Sequence, residues 1–409
     1  MKAVVIGTGP AGITAALTLR ANDPTGTVSA LCTEPYPPYS PAAMADHFLT
    51  GRTNTLYWKG VDVAARWGIT ERREAPVVAI DVDNHEVVLH DESRIGYEGL
   101  VIASGSRLHA PLEGVELPGV LDFKSLRMAE HLVAQVHHHE ARSAVIVGNG
   151  LIGVELSLLL AGLGVQVTVI GRRTWVMPRI LDPETAAIAE AGLRARGVQL
   201  ELGVEAQAFI GGATARGVRL ADGRELDADL VIAATGVKPH VEFLGSSGIV
   251  TGWGVHVDDR LRTSAPDVVA AGDVAEAADW LTGKRFVHAN FPNAVGQAKI
   301  AARNLLGAGF AYDGAEAMNS LKHLGIPIVA MGTLEEPDEI VRWRANGVLR
   351  SVYLRGATIT GVQLAGDITS AGLYRSLMLR RADVSAYRDL LATPTLSVAD
   401  VVGHSLVGA

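Results

Sequence analysis

Two stretches of the chain have the glycine spacing of a phosphate-binding turn. "VVIGTGPAG" at residues 4–12 and "VIVGNGLIGVE" at residues 145–155 each run from an apolar, strand-like segment through Gly-x-Gly-x-x-Gly into helix-forming residues. In such a turn the first glycine permits the sharp bend, the second lets the backbone approach a pyrophosphate, and the third allows close packing of the helix on the strand. The helix N-terminus offers free N–H groups and the positive end of its dipole to the phosphates. We therefore expect dinucleotide contacts at Gly7, Gly9, Pro10, Ala11 and Gly12, and again at Gly148, Gly150, Ile152 and Gly153.

The residues that end the second strand differ between the two copies. Glu34 lies 22 residues after Gly12, where we expect the second strand to end and a carboxylate to accept hydrogen bonds from both hydroxyls of a ribose. In the second copy the strand ends "VTVIGRR", so Gly171 stands where the acid is expected. An acid there favours NAD, whereas its absence, followed by Arg172 and Arg173, suits the 2′-phosphate of NADP. Two solvated arginines would give the same pattern, and both interpretations stay open.

The composition is that of an ordinary globular protein with room for two or three domains, since 48% of its 409 residues are hydrophobic and 20% are charged. A formal charge of −8 argues against a nucleic-acid-binding surface. The single cysteine, Cys32, excludes an intrachain disulfide and a cysteine-based metal site held by this chain alone, and it suits a reducing cytoplasm. The apolar run at residues 151–170 carries Glu155 and a break at Gly162 and Gly164, which predicts a helix and a buried strand rather than a membrane span.

The order of predicted elements occurs twice. Residues 2–34 are predicted as strand, helix and strand, and residues 35–60 as a loop with short helices over a pocket. A hairpin around "VVAIDVDNHEVVLHD" and a buried strand in "YEGLVIASGS" complete the first cycle. A second cycle begins with the helix "SLRMAEHLVAQVHHHE" and ends with a hairpin before "LVIAATG". After it come short strands ("IPIVAMG", "GVLRSVYLRG", "TITGVQLAG") and a helix near residues 370–381, so the pattern indicates an α/β fold with internal duplication.

Five motifs, in this order, resemble the FAD-dependent pyridine nucleotide–disulfide oxidoreductase superfamily over nearly the whole chain. They are "GTGPAG" with Glu34, "LVIASGS" with Ser104 and Gly105, "GNGLIGVE", "TSAPDVVAAGDVAE" with Gly272 and Asp273, and "FPNAVGQAKIAARNLLG". The resemblance implies two nested Rossmann-like dinucleotide-binding domains and a C-terminal α+β interface domain. The implied boundaries are residues 1–110 with 245–318 for FAD, 111–244 for NAD(P) and 319–409 for the interface domain.

The same resemblance implies roles for individual residues. Asp273 would hydrogen-bond the ribityl chain of FAD, the helix in "FPNAVGQAKIAARNLLG" would run under the isoalloxazine ring, and Glu155 would lie near the nicotinamide. We also expect cofactor contacts at Val78 and Gly236. Glu155 has a second interpretation, as an acid that complements the dipole of its helix from the first turn.

Within the superfamily, "EPYPPYSPAAMADHFLTG" and "LKHLGIPIVAMG" look most like the single-flavin branch of NADH oxidases, coenzyme A disulfide reductases, rubredoxin or ferredoxin reductases and nitrite reductase flavin domains. The oxidase and coenzyme A enzymes have a redox cysteine in Tyr-Ser-Pro-Cys, but here Ala42 follows Tyr39-Ser40-Pro41, and no Cys-x4-Cys pair is present. This departure removes peroxide and disulfide chemistry through a thiol, although Ala42 is still expected beside the cofactor.

Two histidine features each have two interpretations. His47, in the loop expected to cover the flavin, could be a proton donor or a structural residue. His137, His138 and His139 could indicate a metal, but adjacent helix residues point in different directions, so we expect a solvated helix end and no metal.

These observations predict an FAD-dependent NAD(P)H oxidoreductase without a cysteine relay. Hydride would pass from the nicotinamide to the flavin, and electrons would pass from the flavin to an iron–sulfur protein or to partner subunits. The alternatives are a reductase of a small molecule such as a quinone, and a low-turnover flavoprotein used as a binding module. The C-terminal domain is a candidate homodimer interface.

Overall fold

The computed structural model describes residues 1–138, 141–321 and 323–401. In chain order, its strands are β1 (Lys2–Ile6), β2 (Thr27–Leu31), β3 (Thr70–Arg72), β4 (Val77–Asp81), β5 (Glu86–Leu89), β6 (Arg94–Gly96), β7 (Gly99–Ile102), β8 (Ser106–Leu108), β9 (Val120–Leu121), β10 (Ser143–Val147), β11 (Gln166–Gly171), β12 (Gln199–Leu202), β13 (Ala206–Gly211), β14 (Ala215–Leu220), β15 (Glu225–Asp227), β16 (Leu230–Ala233), β17 (Val237–Pro239), β18 (Val255–His256), β19 (Val268–Ala270), β20 (Ala275–Ala278), β21 (Arg285–Phe286), β22 (Met318–Leu321), β23 (Ile328–Gly332), β24 (Glu339–Ala345), β25 (Val348–Arg355) and β26 (Thr358–Ala365).

The helices alternate with these strands. The α-helices are α1 (Pro10–Asn22), α2 (Met44–Thr50), α3 (Thr53–Leu56), α4 (Val63–Arg66), α5 (Leu126–His137), α6 (Leu151–Gly162), α7 (Pro183–Arg194), α8 (Phe291–Leu305) and α9 (Ala371–Leu379). Short 3-10 helices cover Pro41–Ala43, Glu242–Leu244 and Ser385–Leu390. Among the described residues, no helix is both long enough and apolar enough to cross a membrane.

The chain divides into two compact units, each made of separate segments. The first contains residues 1–109, 122–134 and 236–316, and the second contains residues 110–121, 135–235 and the segment from 317 onward. Most of the predicted FAD-binding segments therefore lie in the first unit. The predicted NAD(P)-binding and interface segments lie mostly in the second, while residues 122–134, predicted to belong with NAD(P) binding, are part of the first.

The first unit is built on a five-stranded parallel sheet in the order β19-β7-β1-β2-β3. Its central strands read as continuous apolar runs because parallel strands are covered on both faces, and the side chains of Leu100, Val101 and Ile102 are fully buried. Helices α1 and α8 pack on this sheet and on each other. A three-stranded antiparallel sheet, β4-β5-β6, forms the predicted hairpin, to which the structure adds β6 as a third strand.

The second unit repeats this plan and adds a third sheet. Its parallel sheet has the order β12-β11-β10-β16-β9, and a three-stranded antiparallel sheet, β13-β14-β15, stands in the chain where β4-β5-β6 stands in the first unit. The C-terminal segment forms a five-stranded antiparallel sheet, β22-β23-β26-β25-β24, against which α9 packs. This duplication confirms the predicted α/β fold class with two Rossmann-like sheets.

Candidate dinucleotide sites

The first glycine turn joins β1 to α1, and each of its three glycines has a separate steric reason. Gly7 has φ +100°, and a Cβ at this position would lie 2.1 Å from the carbonyl oxygen of Ala103. A Cβ at Gly12 would lie 1.8 Å from the carbonyl oxygen of Gly7, so only glycine lets α1 approach the turn. Gly9, which caps α1 ahead of Pro10, has nothing within 4 Å of the same point. The open position is the one at which a pyrophosphate has to approach the backbone.

The second glycine turn, between β10 and α6, has nearly the same dimensions. A Cβ at Gly148 would lie 2.2 Å from the carbonyl oxygen of Ala234, and one at Gly153 would lie 1.9 Å from the carbonyl oxygen of Gly148. Gly150 has nothing within 4 Å, and the neighbouring Ile152 side chain is 37% exposed. Both turns therefore leave open space at the middle glycine and at the start of a helix.

Glu34 lies farther along the chain than the strand pattern predicts. β2 ends at Leu31, so Glu34 follows the strand by three residues, and the expectation that it ends the strand is wrong. In the first copy Leu31 pairs with Ile6, and the Gly7 amide donates to the Leu31 carbonyl. In the second copy Ile170 pairs with Val147, and the Gly148 amide donates to the Ile170 carbonyl. Counting on from these pairs, Cys32 is equivalent to Gly171, and Glu34 is equivalent to Arg173. Cys32 still donates its amide to the Arg72 carbonyl and accepts from the Ala75 amide, and the Pro-rich segment that follows belongs to no strand.

The carboxylate of Glu34 fits a ribose that donates a hydrogen bond. Its Oε2 accepts a hydrogen bond of 2.6 Å from the hydroxyl of Tyr39. Its Oε1 is buried and has no hydrogen-bond partner among the described residues. A buried carboxylate oxygen without a donor is costly, so a donor belongs here, and a ribose hydroxyl is one. The residues present at this end of the turn are therefore compatible with the adenosine half of FAD.

A second group of predicted residues converges on the same helix start. A Cβ at Gly272, which has φ +83°, would lie 2.8 Å from the Cβ of Ala11, and the Gly272 amide donates to Gln297 on α8. Asp273 accepts hydrogen bonds through Oδ2 from the Ser106 hydroxyl at 2.8 Å and from the Lys124 ammonium at 3.3 Å. Sequence reasoning placed Asp273 here but missed Lys124.

The small-residue turn after β7 lies in the same unit. The hydroxyl of Ser104 donates to the carbonyl of His240 at 2.8 Å, and Gly105 has φ +70° with open space around it. Gly236, which follows the corresponding strand of the second copy, has φ +142° and likewise has open space. Both glycines adopt backbone conformations that other residues rarely enter, and their contact with a cofactor remains a prediction.

The loop over residues 35–60 forms short helices, as expected. Ala42 lies in the 3-10 turn Pro41–Ala43 and is exposed. His47, on α2, has its Nδ1 3.2 Å from the carbonyl oxygen of Arg52 and its ring against Phe48. These contacts give His47 a structural role, and its role as a proton donor stays a prediction.

Val78 lies at an irregularity of the β4–β5 ladder. Its neighbours Val77 and Ala79 pair with Leu89 and Val88, and the register shifts between them. The Val78 side chain is 46% exposed. A bulge re-aims a side chain or frees a backbone group, so the position is available for the predicted contact.

Around the second turn, the space above Gly171 is already filled. A Cβ at Gly171 would lie 2.4 Å from the side-chain amide of Asn149, whose nitrogen donates to the carbonyl of Trp175 at 2.8 Å. Arg172 and Arg173 are both exposed, and Nη1 of Arg172 lies 3.6 Å from Oε1 of Glu205. Both arginines remain predicted contacts of the adenosine ribose or its 2′-phosphate, and Arg173 is the one that is not paired with Glu205.

Glu155 is the fifth residue of α6 and is partly buried, and the first turn of that helix contains no acid. The expectation that Glu155 complements the dipole from the first turn is therefore wrong, because the dipole effect falls off beyond that turn. Its proximity to the nicotinamide remains a prediction.

Cys32 is partly exposed rather than buried in the core. Burial nevertheless raises the pKa of its thiol above the usual value, with weaker opposing effects from hydrogen bonds to Thr8 and Glu34. A thiol with a raised pKa is a poor nucleophile. Among the described residues, no group of histidine, cysteine and acidic side chains could hold a metal ion, and His139 lies outside those residues.

Comparisons with known proteins agree with this geometry. The family model described as pyridine nucleotide-disulphide oxidoreductase matches residues 1–300. The chain is 26% identical over 407 residues to the NADH-dependent phenylglyoxylate dehydrogenase subunit epsilon of Aromatoleum evansii, which covers 97% of this chain and 96% of that protein. It is 31% identical over 346 residues to the rubredoxin-NAD(+) reductase of Pseudomonas putida, which covers 83% of this chain and 89% of that protein.

A solved structure has the same fold. The ferredoxin reductase for the CYP199A2 system from Rhodopseudomonas palustris superposes with a TM-score of 0.86 at 25% identity, covering 94% of this chain and 96% of that one. The family model covers residues 1–300, which include both glycine turns. The chain therefore belongs to the pyridine nucleotide-disulphide oxidoreductase family and is an FAD-dependent NAD(P)H oxidoreductase.

Proposed function

We propose that this chain takes electrons from NAD(P)H and passes them, without a cysteine relay, to a small iron–sulfur protein or to iron–sulfur subunits of a larger complex. The observation that carries the proposal is a pair of matched phosphate-binding turns in one chain that has Ala42 at the place of the redox cysteine. Bound FAD would supply the conversion from two-electron to single-electron transfer. The names of the relatives support the acceptor class, since one is a rubredoxin reductase and another is a subunit of an NADH-dependent dehydrogenase.

In this proposal each group of residues has one task. Gly9 and Gly150 admit the pyrophosphates, Glu34 accepts from the adenosine ribose of FAD, and Asp273 holds the ribityl chain through the carboxylate that Ser106 and Lys124 orient. Arg173 binds the 2′-phosphate on the adenosine ribose of NADPH. Glu155, His47, Ser104, Gly105, Val78 and Gly236 remain predicted contacts of the two cofactors.

The test is the recovery of the tagged protein from its native host, followed by electron transfer to the recovered partner in vitro. We expect an iron–sulfur protein in the complex and its reduction by NADH or NADPH only when the flavoprotein is present. A Gly150→Leu variant is the matched control, because it should bind the same partner but not transfer electrons from the nucleotide.

Other outcomes of that assay would contradict the proposal. Rapid reduction of quinones without reduction of any recovered partner would favour a small-molecule reductase. Bound FAD that neither NADH nor NADPH reduces would favour a binding module. We further propose that the protein is cytoplasmic. We also propose a homodimer through the C-terminal domain, and the native mass of the purified protein would test this oligomeric state.

A further inference from the structure

Glu34 is held by Tyr39, the first residue of the Tyr39-Ser40-Pro41-Ala42 stretch, and no sequence pattern indicates this contact. The hydroxyl of Tyr39 donates to Oε2 of Glu34 at 2.6 Å and accepts from the backbone amide of Leu126 at 3.0 Å. Tyr39 is only 8% exposed, and its ring packs with Met44 and Leu56. One buried hydroxyl therefore joins the acid to the beginning of α5.

Glu34 needs such a contact because it lies outside its strand. β2 ends at Leu31 and Cys32 makes the adjoining backbone hydrogen bonds with Arg72 and Ala75, so Glu34 itself is not part of the ladder. Immobilising a flexible side chain at the moment of binding reduces affinity, and a side chain that is already held avoids that loss. The Tyr39 hydroxyl donates to Oε2 of Glu34, while Oε1 of Glu34 is buried and has no hydrogen-bond partner among the described residues.

A chain of two hydrogen bonds leads from the start of α5 to the acid. Leu126 is the first residue of α5, and its amide is one of the N–H groups that a helix cannot satisfy internally. It donates to the Tyr39 hydroxyl, which donates to Glu34, so the three groups polarise one another. Burial, and then the charge of Glu34, raise the pKa of Tyr39, so its hydroxyl stays protonated as a donor.

We propose that Tyr39 is a positioning residue for the adenosine ribose of FAD. It holds Glu34 by Oε2 so that Oε1 is left to accept from a ribose hydroxyl, and it makes the affinity for FAD depend on the start of α5. The proposal rests on the role proposed above for Glu34.

The experiment measures FAD binding to the apoprotein by quenching of flavin fluorescence. Tyr39→Phe should raise the Kd for FAD roughly tenfold, because it removes one buried donor and one buried acceptor. Tyr36→Phe is the matched control: its hydroxyl donates to Glu130 on the same helix and does not contact Glu34, so the Kd should stay within about twofold of wild type. Thermal melting of each apoprotein checks that the variants fold.

A double-mutant cycle separates positioning from packing. If Tyr39 acts through Glu34, Tyr39→Phe should have little further effect on the Kd in a Glu34→Ala background, which has no side-chain acceptor for the hydroxyl. An equal effect in both backgrounds would overturn the proposal, because the hydroxyl would then support the fold in general.

The roles of Glu34 and Tyr39 are distinguished by their single variants. A Glu34→Gln protein with wild-type affinity would refute the role of Glu34 as the ribose acid. Weak binding by Glu34→Gln together with normal binding by Tyr39→Phe would refute only the role of Tyr39. Glu34→Ala removes the same hydrogen bond from its other end if Tyr39→Phe does not fold.

Discussion

At the residue scale, Gly9 and Gly150 provide a matched pair. Both have negative φ and nothing within 4 Å of an added Cβ, so each position accepts a side chain in the ligand-free protein. Gly9→Leu should weaken FAD binding about tenfold to a hundredfold, because the side chain fills the space of the pyrophosphate. Flavin absorbance of the purified variant and its titration with FAD measure the loss.

Gly150→Leu is the control for Gly9→Leu, because it places the same side chain in the turn predicted to bind the nicotinamide nucleotide. It should retain FAD while losing flavin reduction by NADH and NADPH in an anaerobic spectrum. Equal loss of FAD in both variants would show that the two turns do not serve different nucleotides.

Arg173 is the residue at which nicotinamide choice can be tested. Introducing an acid at Gly171 would force its Cβ against Asn149, so a change there would disturb the turn as well as the charge. Arg173→Ala should raise the KM for NADPH roughly tenfold and leave the KM for NADH within about twofold, because only NADPH carries the 2′-phosphate. Steady-state kinetics with both nucleotides measure the ratio.

Arg179→Ala is the control for Arg173, since Arg179 is an exposed arginine later in the same loop. It should change neither KM. If Arg173→Ala affects both nucleotides equally, the arginine does not read the 2′-phosphate.

At the element scale, α7 is tied to the C-terminal sheet of its own unit by Asp182 and Glu184, which both pair with Arg342. Asp182 caps α7 by accepting from the Thr185 amide at 2.7 Å, and it also accepts from Arg342 on β24 at 2.6 Å and from Tyr353 on β25. Asp182→Ala should lower the free energy of unfolding by about 2–4 kcal/mol, because it removes a cap and leaves buried donors without an acceptor. Chemical denaturation measures the change, and Asp222→Ala, in an exposed hairpin turn, should have little effect.

The same acid predicts how stability depends on pH. Burial alone would raise the pKa of Asp182, but hydrogen bonds from Tyr353 and Thr185 and the charge of Arg342 lower it below the usual value. The stabilisation is therefore present above the unfolded pKa of about 4 and is lost as the pH falls through the lower folded value. The melting temperature of Asp182→Asn should approach that of wild type as the pH falls below about 4, and a constant difference between them would contradict this origin.

At the scale of the whole molecule, the number of electrons that the protein stores follows from its lack of a second redox group. Cys32 is the single cysteine, and burial raises its thiol pKa. Anaerobic reduction by NAD(P)H should therefore stop at two electrons per flavin, and Cys32→Ser should reduce at the wild-type rate. An anaerobic titration that consumes two equivalents of nucleotide per flavin, or loss of reduction in Cys32→Ser, would show that a thiol takes part.

The glycine turns and the duplicated order of elements were predictable from the sequence because each turn leaves a fixed glycine spacing, even though the carbonyls opposite Gly7 and Gly148 belong to Ala103 and Ala234. Gly7 and Gly12 are required by contacts within one strand–turn–helix unit and the strand beside it, and such requirements appear as a fixed spacing. The apolar runs of β1, β7 and β10 likewise indicate strands that are buried on both faces. The strand β24 and the short β22 carry weaker patterns and were not predicted.

The tertiary structure decided where the acid of the first site lies and what holds it. Tyr39 and Leu126 are 87 residues apart, and Asp273 and Lys124 are 149 apart, so no local pattern connects them. Strand pairing decided that Cys32, and not Glu34, occupies the register of Gly171. The sequence by itself determined the glycine spacing of the turns, because the positive φ of Gly7 and the contact of Gly12 with Gly7 arise within one turn. The carbonyl opposite Gly7, the hydrogen-bond partners and the register depend on distant segments that only folding brings together.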